Sequence, residues 1–189
     1  MKAYLAGPDV FLPHAVKNAA AKIAICAKYG IHGRAPLDEE IGRPASLPDE
    51  EAWRVIYAKD IEMMQECDII IANLTPFRGV SADAGTLIEV GWFLGQNKPV
   101  FGYSNSAALF AARSLRYLSA IADPIPGLAV EGFGLPDNLM IAGALAYGGG
   151  LTLTLPPDGI SRAFDALDVF ETCAAAAAAK LMKEKKPLF

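Results

Sequence analysis

Residues 68–103, DIIIANLTPFRGVSADAGTLIEVGWFLGQNKPVFGY, constrain the fold of this chain more than any other stretch. An apolar run over Asp68–Asn73 is followed by a loop rich in turn formers over Leu74–Ala82, a helical pattern that begins near Asp83, and a second apolar run over Lys98–Tyr103. A strand, a helix and a second strand in this order indicate a βαβ unit with a parallel sheet. Ligands of such sheets bind beyond the carboxyl ends of the strands, so we expect the Leu74–Ala82 loop to face a ligand site.

The rest of the pattern extends this unit into an α/β chain with a parallel sheet of five strands. Besides the two strands above, strands are predicted over Lys2–Ala6, Ile31–Leu37 and Leu151–Leu155. Helices are predicted over Pro13–Tyr29, Pro48–Glu66, Ala107–Ser119, Pro136–Tyr147 and Asp158–Lys186. The acidic segment Asp38–Glu51 is predicted to be a mobile loop. The length of 189 residues predicts one domain over residues 1–189.

Composition and charge limit the classes of function. A net charge of −4 and the absence of a Lys/Arg cluster before the tail argue against a nucleic-acid partner. Three widely spaced cysteines in apolar contexts indicate reduced core residues, and two histidines without a Cys/His group offer no metal-ligand spacing. No GxGxxG motif follows the first strand, and no GxxxxGK motif followed by Ser or Thr occurs. Their absence weakens the case for a dinucleotide or ATP cofactor. With no membrane-spanning run and no signal-peptide pattern, we expect a cytoplasmic protein that acts on a small molecule without a metal or cofactor.

Glu89 is an acid among apolar residues of the central helix. A carboxylate that apolar surroundings desolvate is destabilising unless it is paired or functional. Helical side chains lean toward the amino end, so Glu89 should lie over Gly85 and Thr86, and Gly85 has no side chain to cover it. Glu89 is therefore placed to contact a small ligand. The alternative is a carboxylate on the one wet stripe of the helix, capped by a neighbouring Arg or Tyr.

Two further acids and one tyrosine are candidates for the same site. Asp60 completes an apolar helical stripe formed by Trp53, Ile56, Tyr57, Ile61 and Met64, so it should point inward. Its alternative role is to hydrogen-bond a nearby backbone loop. Asp83 either joins the site or caps the helix that it precedes. Tyr4 either fills the first strand or directs its phenol into the site.

Carboxylates without an accompanying metal or histidine suit the cleavage of a glycosidic bond. In that chemistry one carboxylate attacks the anomeric carbon of a sugar and a second carboxyl group protonates the leaving group. Asp60, Asp83 and Glu89 are predicted at or near one edge of the sheet.

At this point the sequence resembles the nucleoside 2-deoxyribosyltransferase family. The resemblance covers the strand and turn YLAGP at Tyr4–Pro8, the helical Asp60, the segment DAGTLIEVG at Asp83–Gly91, and a late Asn138–Met140 preceded by VEGFGLP at Val130–Pro136. These motifs occur in the order of the family and span residues 2–140, whereas the part of the chain after Ala144 is less diagnostic.

The resemblance implies a flavodoxin-like three-layer α/β fold and the exchange of a 2-deoxyribosyl group between bases. By that resemblance Glu89 is the nucleophile that forms a covalent deoxyribosyl intermediate, and Tyr4 orients it. Asp60 and Asp83 contact the base or sugar, and one of them relays the proton of the leaving base. The substrates are deoxynucleosides and free nucleobases, which contact a set of residues comprising Gly7, Pro8, Phe11 and Gly85.

The resemblance also implies that a homo-oligomer, dimer-based and hexameric in some members, is part of the site. Asn138 and Met140 would then reach into the site of a neighbouring subunit and bind the sugar there.

Three alternatives remain open from the sequence. An N-glycosidase would release the same intermediate to water from a deoxynucleoside monophosphate, with Ser104 and Ser106 as candidates for the phosphate. Phosphoribohydrolases share a Gly-Thr-x-x-Glu segment, but their paired glycines and neighbouring Arg are missing here. A non-catalytic nucleotide-binding module would be indicated by an ion pair between Glu89 and Arg78.

Overall fold

The protein is described by a computed structural model over residues 1–37, 48–121, 123 and 125–184. Its sheet has four strands in the described part, β1 (Lys2–Ala6), β2 (His32–Arg34), β3 (Ile69–Asn73) and β4 (Val100–Tyr103). All pairings are parallel, and the strand order is β2-β1-β3-β4. This order matches the flavodoxin-like arrangement and confirms the predicted fold class.

The described ranges contain six α-helices. They are α1 (Ala15–Lys28), α2 (Asp49–Glu66), α3 (Ala84–Gly95), α4 (Phe110–Ala120), α5 (Leu139–Gly148) and α6 (Asp168–Glu184), and a short 3-10 turn at Pro8–Phe11 precedes α1. Each strand of the predicted βαβ unit and the helix between them are therefore confirmed.

The strands alternate their side chains between two cores, which gives three layers. Ala3 and Leu5 of β1 pack on one face with apolar residues of α1 and α6. Tyr4 and Ala6 pack on the other face with residues of α2, α3 and α5. Since successive side chains of a strand point to opposite faces, the position of Tyr4 in β1 puts its phenol on the same side as α3.

The order in which successive strands are added across the sheet reverses at β1, and this reversal creates a crevice. From β1 it moves outward to β2 and then returns to the other side of β1 to add β3. Ala6 and Ala72 are partners at the carboxyl ends of β1 and β3. In open α/β sheets this switch point is where ligands bind.

The predicted fifth strand and the predicted start of the last helix are wrong. Within Leu151–Leu155 only Thr154 forms a parallel bridge, to Tyr103. The two prolines that follow, Pro156 and Pro157, have no amide hydrogen with which to extend a ladder. α6 begins at Asp168 instead of Asp158, because residues 158–167 are held in an irregular path by other contacts.

Those contacts come largely from two side chains. Arg162 donates hydrogen bonds to both Asp158 and Asp168. The amide of Asn105 donates to the backbone carbonyls of Ala163, Phe164 and Ala166.

The predicted loop over Asp38–Glu51 overlaps α2 from Asp49, and its residues 38–47 lie outside the described residues.

Gly149 provides a test of how closely α5 approaches the sheet. A Cβ at Gly149 would overlap the carbonyl oxygen of Val100 in β4, whereas a Cβ at Gly143 of α5 would meet no atom within 4 Å. We expect Gly149→Ala to lower the free energy of unfolding by about 1–3 kcal/mol. The control Gly143→Ala should raise it by up to about 1 kcal/mol, because glycine is unfavourable inside a helix. Urea unfolding measures both, and equal effects would contradict the close approach.

Candidate active site

A cavity of about 780 Å³ lies at the carboxyl edge of β1 and β3. The Pro8–Phe11 turn, α2 and the first turns of α3 contribute its walls, as do the residues after β2. It is lined by Gly7, Pro8, Val10, Phe11, Val16, Pro36, Leu37, Ile56, Asp60, Asp83, Gly85, Thr86 and Glu89. The structure thus brings together seven residues that the sequence analysis named for the site.

Tyr4 and Glu89 form the central contact of this site. The phenol of Tyr4 donates a hydrogen bond of 2.7 Å to Oε1 of Glu89. Tyr4 is fully buried and its ring stacks on Phe93, which fixes the direction of the phenol. Glu89 is half-buried, and Gly85, one turn before it, is exposed. The carboxylate is therefore both held by a partner and open to the cavity.

The surroundings of Glu89 bring the pKa of its carboxyl group close to neutral pH. Burial raises the pKa of Glu89 to about 7, and the charges of Asp60 and Asp83 act in the same direction, while the hydrogen bond from Tyr4 lowers it. Burial together with the charge of Glu89 raises the pKa of Tyr4 far above its usual range, so the phenol stays protonated and acts as a donor. Glu89 is accordingly a carboxyl group that changes its charge close to pH 7.

Asp60 points into the structure as predicted, although its helix packs differently. Trp53 and Tyr57 are exposed, and α2 instead contacts the core through its last turns, where Met63 and Met64 are buried. Oδ1 of Asp60 is buried and accepts no hydrogen bond from any residue in the described ranges. Burial raises the pKa of Asp60 to about 6. An unpaired buried oxygen of this kind is stabilised when a ligand donates to it.

Asp83 has both of the roles considered for it. Its Oδ2 accepts hydrogen bonds from the backbone amide and the hydroxyl of Thr86, so it caps α3. It also lines the cavity, and its charge contributes to the raised pKa of Glu89.

Asn138 and Met140 lie apart from these acids. They line a separate, apolar depression of about 560 Å³ between α3 and α5. Asn138 caps α5 by accepting from the Met140 amide, and its own amide donates to Glu131. Met140 is exposed. Within one chain they do not join Glu89, and their action in a neighbouring subunit stays a prediction.

Several residues at the cavity were not singled out from the sequence. Val16 and Ile56 supply apolar wall, and Ile56 could have been inferred because it lies one turn before Asp60. At the rim Phe11 stacks on Phe77, and the guanidinium of Arg78 lies 4.9 Å from the centre of the Phe77 ring. No ion pair joins Arg78 to Glu89 in the part of the chain that the structure describes, so this sign of a non-catalytic module is missing there.

The cysteines and the acidic side chains do not form a metal site in the described ranges. Cys26, Cys67 and Cys173 are buried free thiols, as predicted. Among the described residues there is no group of three or more His, Cys, Asp and Glu side chains that could hold a metal ion. Nor does any helix in these ranges have the length and apolarity required to cross a bilayer.

The Tyr4 hydrogen bond can be tested through the titration of Glu89. Tyr4→Phe removes a donor to the ionised carboxylate, and a hydrogen bond to a charged group contributes about 1.5–3 kcal/mol. We expect the pKa of Glu89 to rise from about 7 to about 8 or above, since 1.4 kcal/mol is a tenfold change in an ionisation constant. Carbon-13 NMR of labelled glutamate carboxyl groups measures this. The control Tyr103→Phe alters a buried tyrosine on the opposite core and should leave Glu89 unchanged; an unchanged pKa in Tyr4→Phe would contradict the contact.

Comparisons with known proteins identify relatives of this chain. The family described as nucleoside 2-deoxyribosyltransferase matches residues 3–140. A 2-deoxyribosyltransferase from Leishmania mexicana is 29% identical, with a TM-score of 0.64 over 94% of this chain and 97% of that protein. An uncharacterised protein of Schizosaccharomyces pombe is 29% identical over 164 residues, 78% of each chain. A conserved protein from Enterococcus faecalis V583, 18% identical with a TM-score of 0.53 over 97% of this chain and 98% of its own, shares the fold.

The family match covers Tyr4 of the first strand and all three carboxylates of the cavity, and it extends through the segment that ends at Met140. The chain therefore belongs to the nucleoside 2-deoxyribosyltransferase family.

Proposed function

We propose that this protein transfers a 2-deoxyribosyl group from a deoxynucleoside to a free nucleobase, by a double displacement through Glu89. The observation that carries the proposal is the 2.7 Å hydrogen bond from Tyr4 to Glu89 at an open cavity that two further acids line. The match to the family and to the Leishmania mexicana enzyme supports the same assignment.

In the first displacement the ionised carboxylate of Glu89 attacks the anomeric carbon of the sugar. A carbon–oxygen bond forms as the bond from that carbon to the base nitrogen breaks, and the electron pair of the broken bond stays on the base. Positive charge develops on the sugar ring during this step, and a sugar without a 2′-hydroxyl tolerates that charge well. The phenol of Tyr4 supports the reaction by holding Oε1 of Glu89 in one direction.

In the second displacement a nitrogen of the incoming base attacks the same carbon and releases the Glu89 carboxylate. The proton of that nitrogen passes to the acid that protonated the leaving base, which restores the starting protonation state. Two inversions retain the configuration at the anomeric carbon. Water in place of the second base would give hydrolysis, so the balance between the two reactions depends on which nucleophile reaches the intermediate first.

Asp60 is the better of the two acids for carrying this proton. One of its oxygens is buried without a partner among the described residues, and its pKa of about 6 lets it hold a proton near neutral pH. Asp83 already accepts two hydrogen bonds from Thr86, as the cap of α3. Asp83 is then suited to bind a hydroxyl group of the sugar.

A deoxynucleoside suits the described walls of the cavity better than a monophosphate. Three acids and no cation are among the residues that line it in the described ranges, and like charges repel a phosphate. Ser104 is buried and accepts from the Ser106 amide, and Ser106 accepts from the Ala108 amide. Both serines therefore form turns, which favours that alternative for them over phosphate binding.

A homo-oligomer completes the proposal. Met140 and Leu94 are exposed apolar residues that line the same depression as Asn138, and exposed apolar surface of this kind is stabilised when another protein covers it. Members of the family are commonly oligomeric, so Asn138 and Met140 are placed by this proposal against the sugar in a neighbouring subunit.

Replacement of Glu89 tests the nucleophile. We expect Glu89→Ala to lower base exchange by at least about a thousandfold, because removal of a catalytic nucleophile leaves only binding and orientation. Chromatography of 2′-deoxyinosine incubated with adenine measures the 2′-deoxyadenosine formed. Glu62→Ala on the exposed face of α2 serves as the control, and circular dichroism checks the fold of both variants.

The same assay without adenine separates transfer from hydrolysis. New nucleoside that forms only with adenine supports the transferase. Equal release of hypoxanthine with and without adenine, and no new nucleoside, would instead establish an N-glycosidase. Appreciable exchange by Glu89→Ala would remove Glu89 from the role of nucleophile.

The proton carried by Asp60 can be tested with two leaving groups. Asp60→Asn should lower the rate with 2′-deoxyinosine by about 100-fold or more, a usual contribution of a general acid. With 4-nitrophenyl 2-deoxyriboside, whose leaving group departs without a proton, the rate should fall by less than about tenfold. Glu62→Gln on the same helix is the control. Equal losses with both substrates would show that Asp60 acts by binding and not by protonation.

A further inference from the structure

Lys22 and Asp9 form an ion pair inside the protein that the proposed reaction does not use. Nζ of Lys22 lies 2.7 Å from Oδ2 of Asp9, and Lys22 is only 4% exposed. The ammonium group also lies 5.3 Å from the ring centre of Tyr103 and 5.2 Å from that of Phe170. Burial lowers the pKa of Lys22, and Asp9 opposes this effect. Because a buried ion pair is weak evidence for a gain in stability, its position suggests another role.

Asp9 connects three elements of the fold. It belongs to the Pro8–Phe11 turn, and it pairs with Lys22 of α1. Both of its carboxylate oxygens accept from the side-chain amide of Asn73, at 3.2 Å each. Asn73 is the last residue of β3, and its own Oδ1 accepts from the Thr75 amide. The turn is thereby attached to α1 and to the carboxyl end of the central strand.

The attached turn is one wall of the candidate active site. Gly7, Pro8, Val10 and Phe11 all line the cavity, whereas Asp9 points away from it toward α1. Gly7 has a φ of 150°, and a Cβ there would lie 2.6 Å from Oδ2 of Asp9 and 2.7 Å from Cβ of Asn73. The wall therefore approaches the Asp9 and Asn73 side chains as closely as a glycine permits.

We propose that the Asp9–Lys22 ion pair, together with Asn73, is a positioning device that holds the Gly7–Phe11 wall at the distance needed to bind the ligand. The identity of the ligand as a deoxynucleoside rests on the proposed function. The pair lies on the α1 side of the sheet, and the contact between Tyr4 and Glu89 lies on the α3 side. Loss of the pair should thus weaken ligand binding and leave the chemistry at Glu89 nearly intact.

Lys22→Met tests this proposal because it keeps the apolar stem and removes the charge. We expect KM for 2′-deoxyinosine to rise about tenfold or more, while kcat changes by less than about threefold, as for a loss of binding alone. Lys28→Met makes the same chemical change on the same helix, at an exposed ion pair with Glu171, and should change neither constant.

A double variant keeps the test valid if Lys22→Met folds poorly with an unpaired carboxylate. Asp9→Asn with Lys22→Met leaves no buried charge at the pair, so a melting temperature close to that of the unaltered protein is expected. Its KM should still be raised, because the attachment to α1 is missing.

Amide hydrogen exchange reports on the wall without any substrate. The Leu12 amide donates to the carbonyl of Asp9, and its exchange should accelerate about tenfold or more in both Lys22 variants and not in Lys28→Met. Unchanged exchange at Leu12, or faster exchange with an unchanged KM, would overturn the positioning role. If the unaltered protein turns over no deoxynucleoside, the proposed function fails, and the exchange result alone decides whether the pair holds the wall.

Discussion

The site depends on one hydrogen bond between a strand and a helix on the same face of the sheet. Tyr4 reaches Glu89 because β1 pairs with β3 in a register that places Tyr4 beside Ile70, and because α3 crosses the same face. Partial burial of a carboxylate costs free energy unless a hydrogen-bond donor compensates for the lost hydration. The stacking of Tyr4 on Phe93, itself in α3, fixes the donor before any ligand arrives. The proposed chemistry therefore depends on the alternation of side chains along β1, which places the phenol of Tyr4 on the same face as α3.

Asp60, the second acid of the site, is positioned by contacts at the carboxyl end of its helix α2. Nζ of Lys98 donates to the backbone carbonyls of Met64, Gln65 and Cys67, at 3.2, 2.9 and 2.7 Å, where α2 ends. These carbonyls carry the partial negative charge of a helix end, so a cation is stabilising there. Since Lys98 lies only two residues before β4, this contact fixes α2 to the sheet and with it the position of Asp60.

Much of this arrangement could be predicted from the sequence, because its signals are local. The continuous apolar run of β3 and the isolated Glu89 in an apolar helix can each be read from a short window. Longer-range features could not be predicted: Leu151–Leu155 has a strand pattern, yet forms a single bridge. The Asp9–Lys22 pair joins residues 13 positions apart, across a turn and a helix start, and no periodicity indicates such a contact. Asn105 likewise acts on carbonyls nearly 60 positions away.

The protonation of the two buried carboxyl groups can be controlled by a bound ligand. Burial raises the pKa of Glu89 to about 7 and that of Asp60 to about 6, so either group can hold a proton near neutral pH. The proposed reaction needs Glu89 ionised and Asp60 protonated. A bound base would cover Asp60 and raise its pKa further, whereas positive charge on the sugar would lower that of Glu89. Both effects act only when a substrate occupies the cavity, so the proposed mechanism favours ionised Glu89 where a sugar is present to react with it.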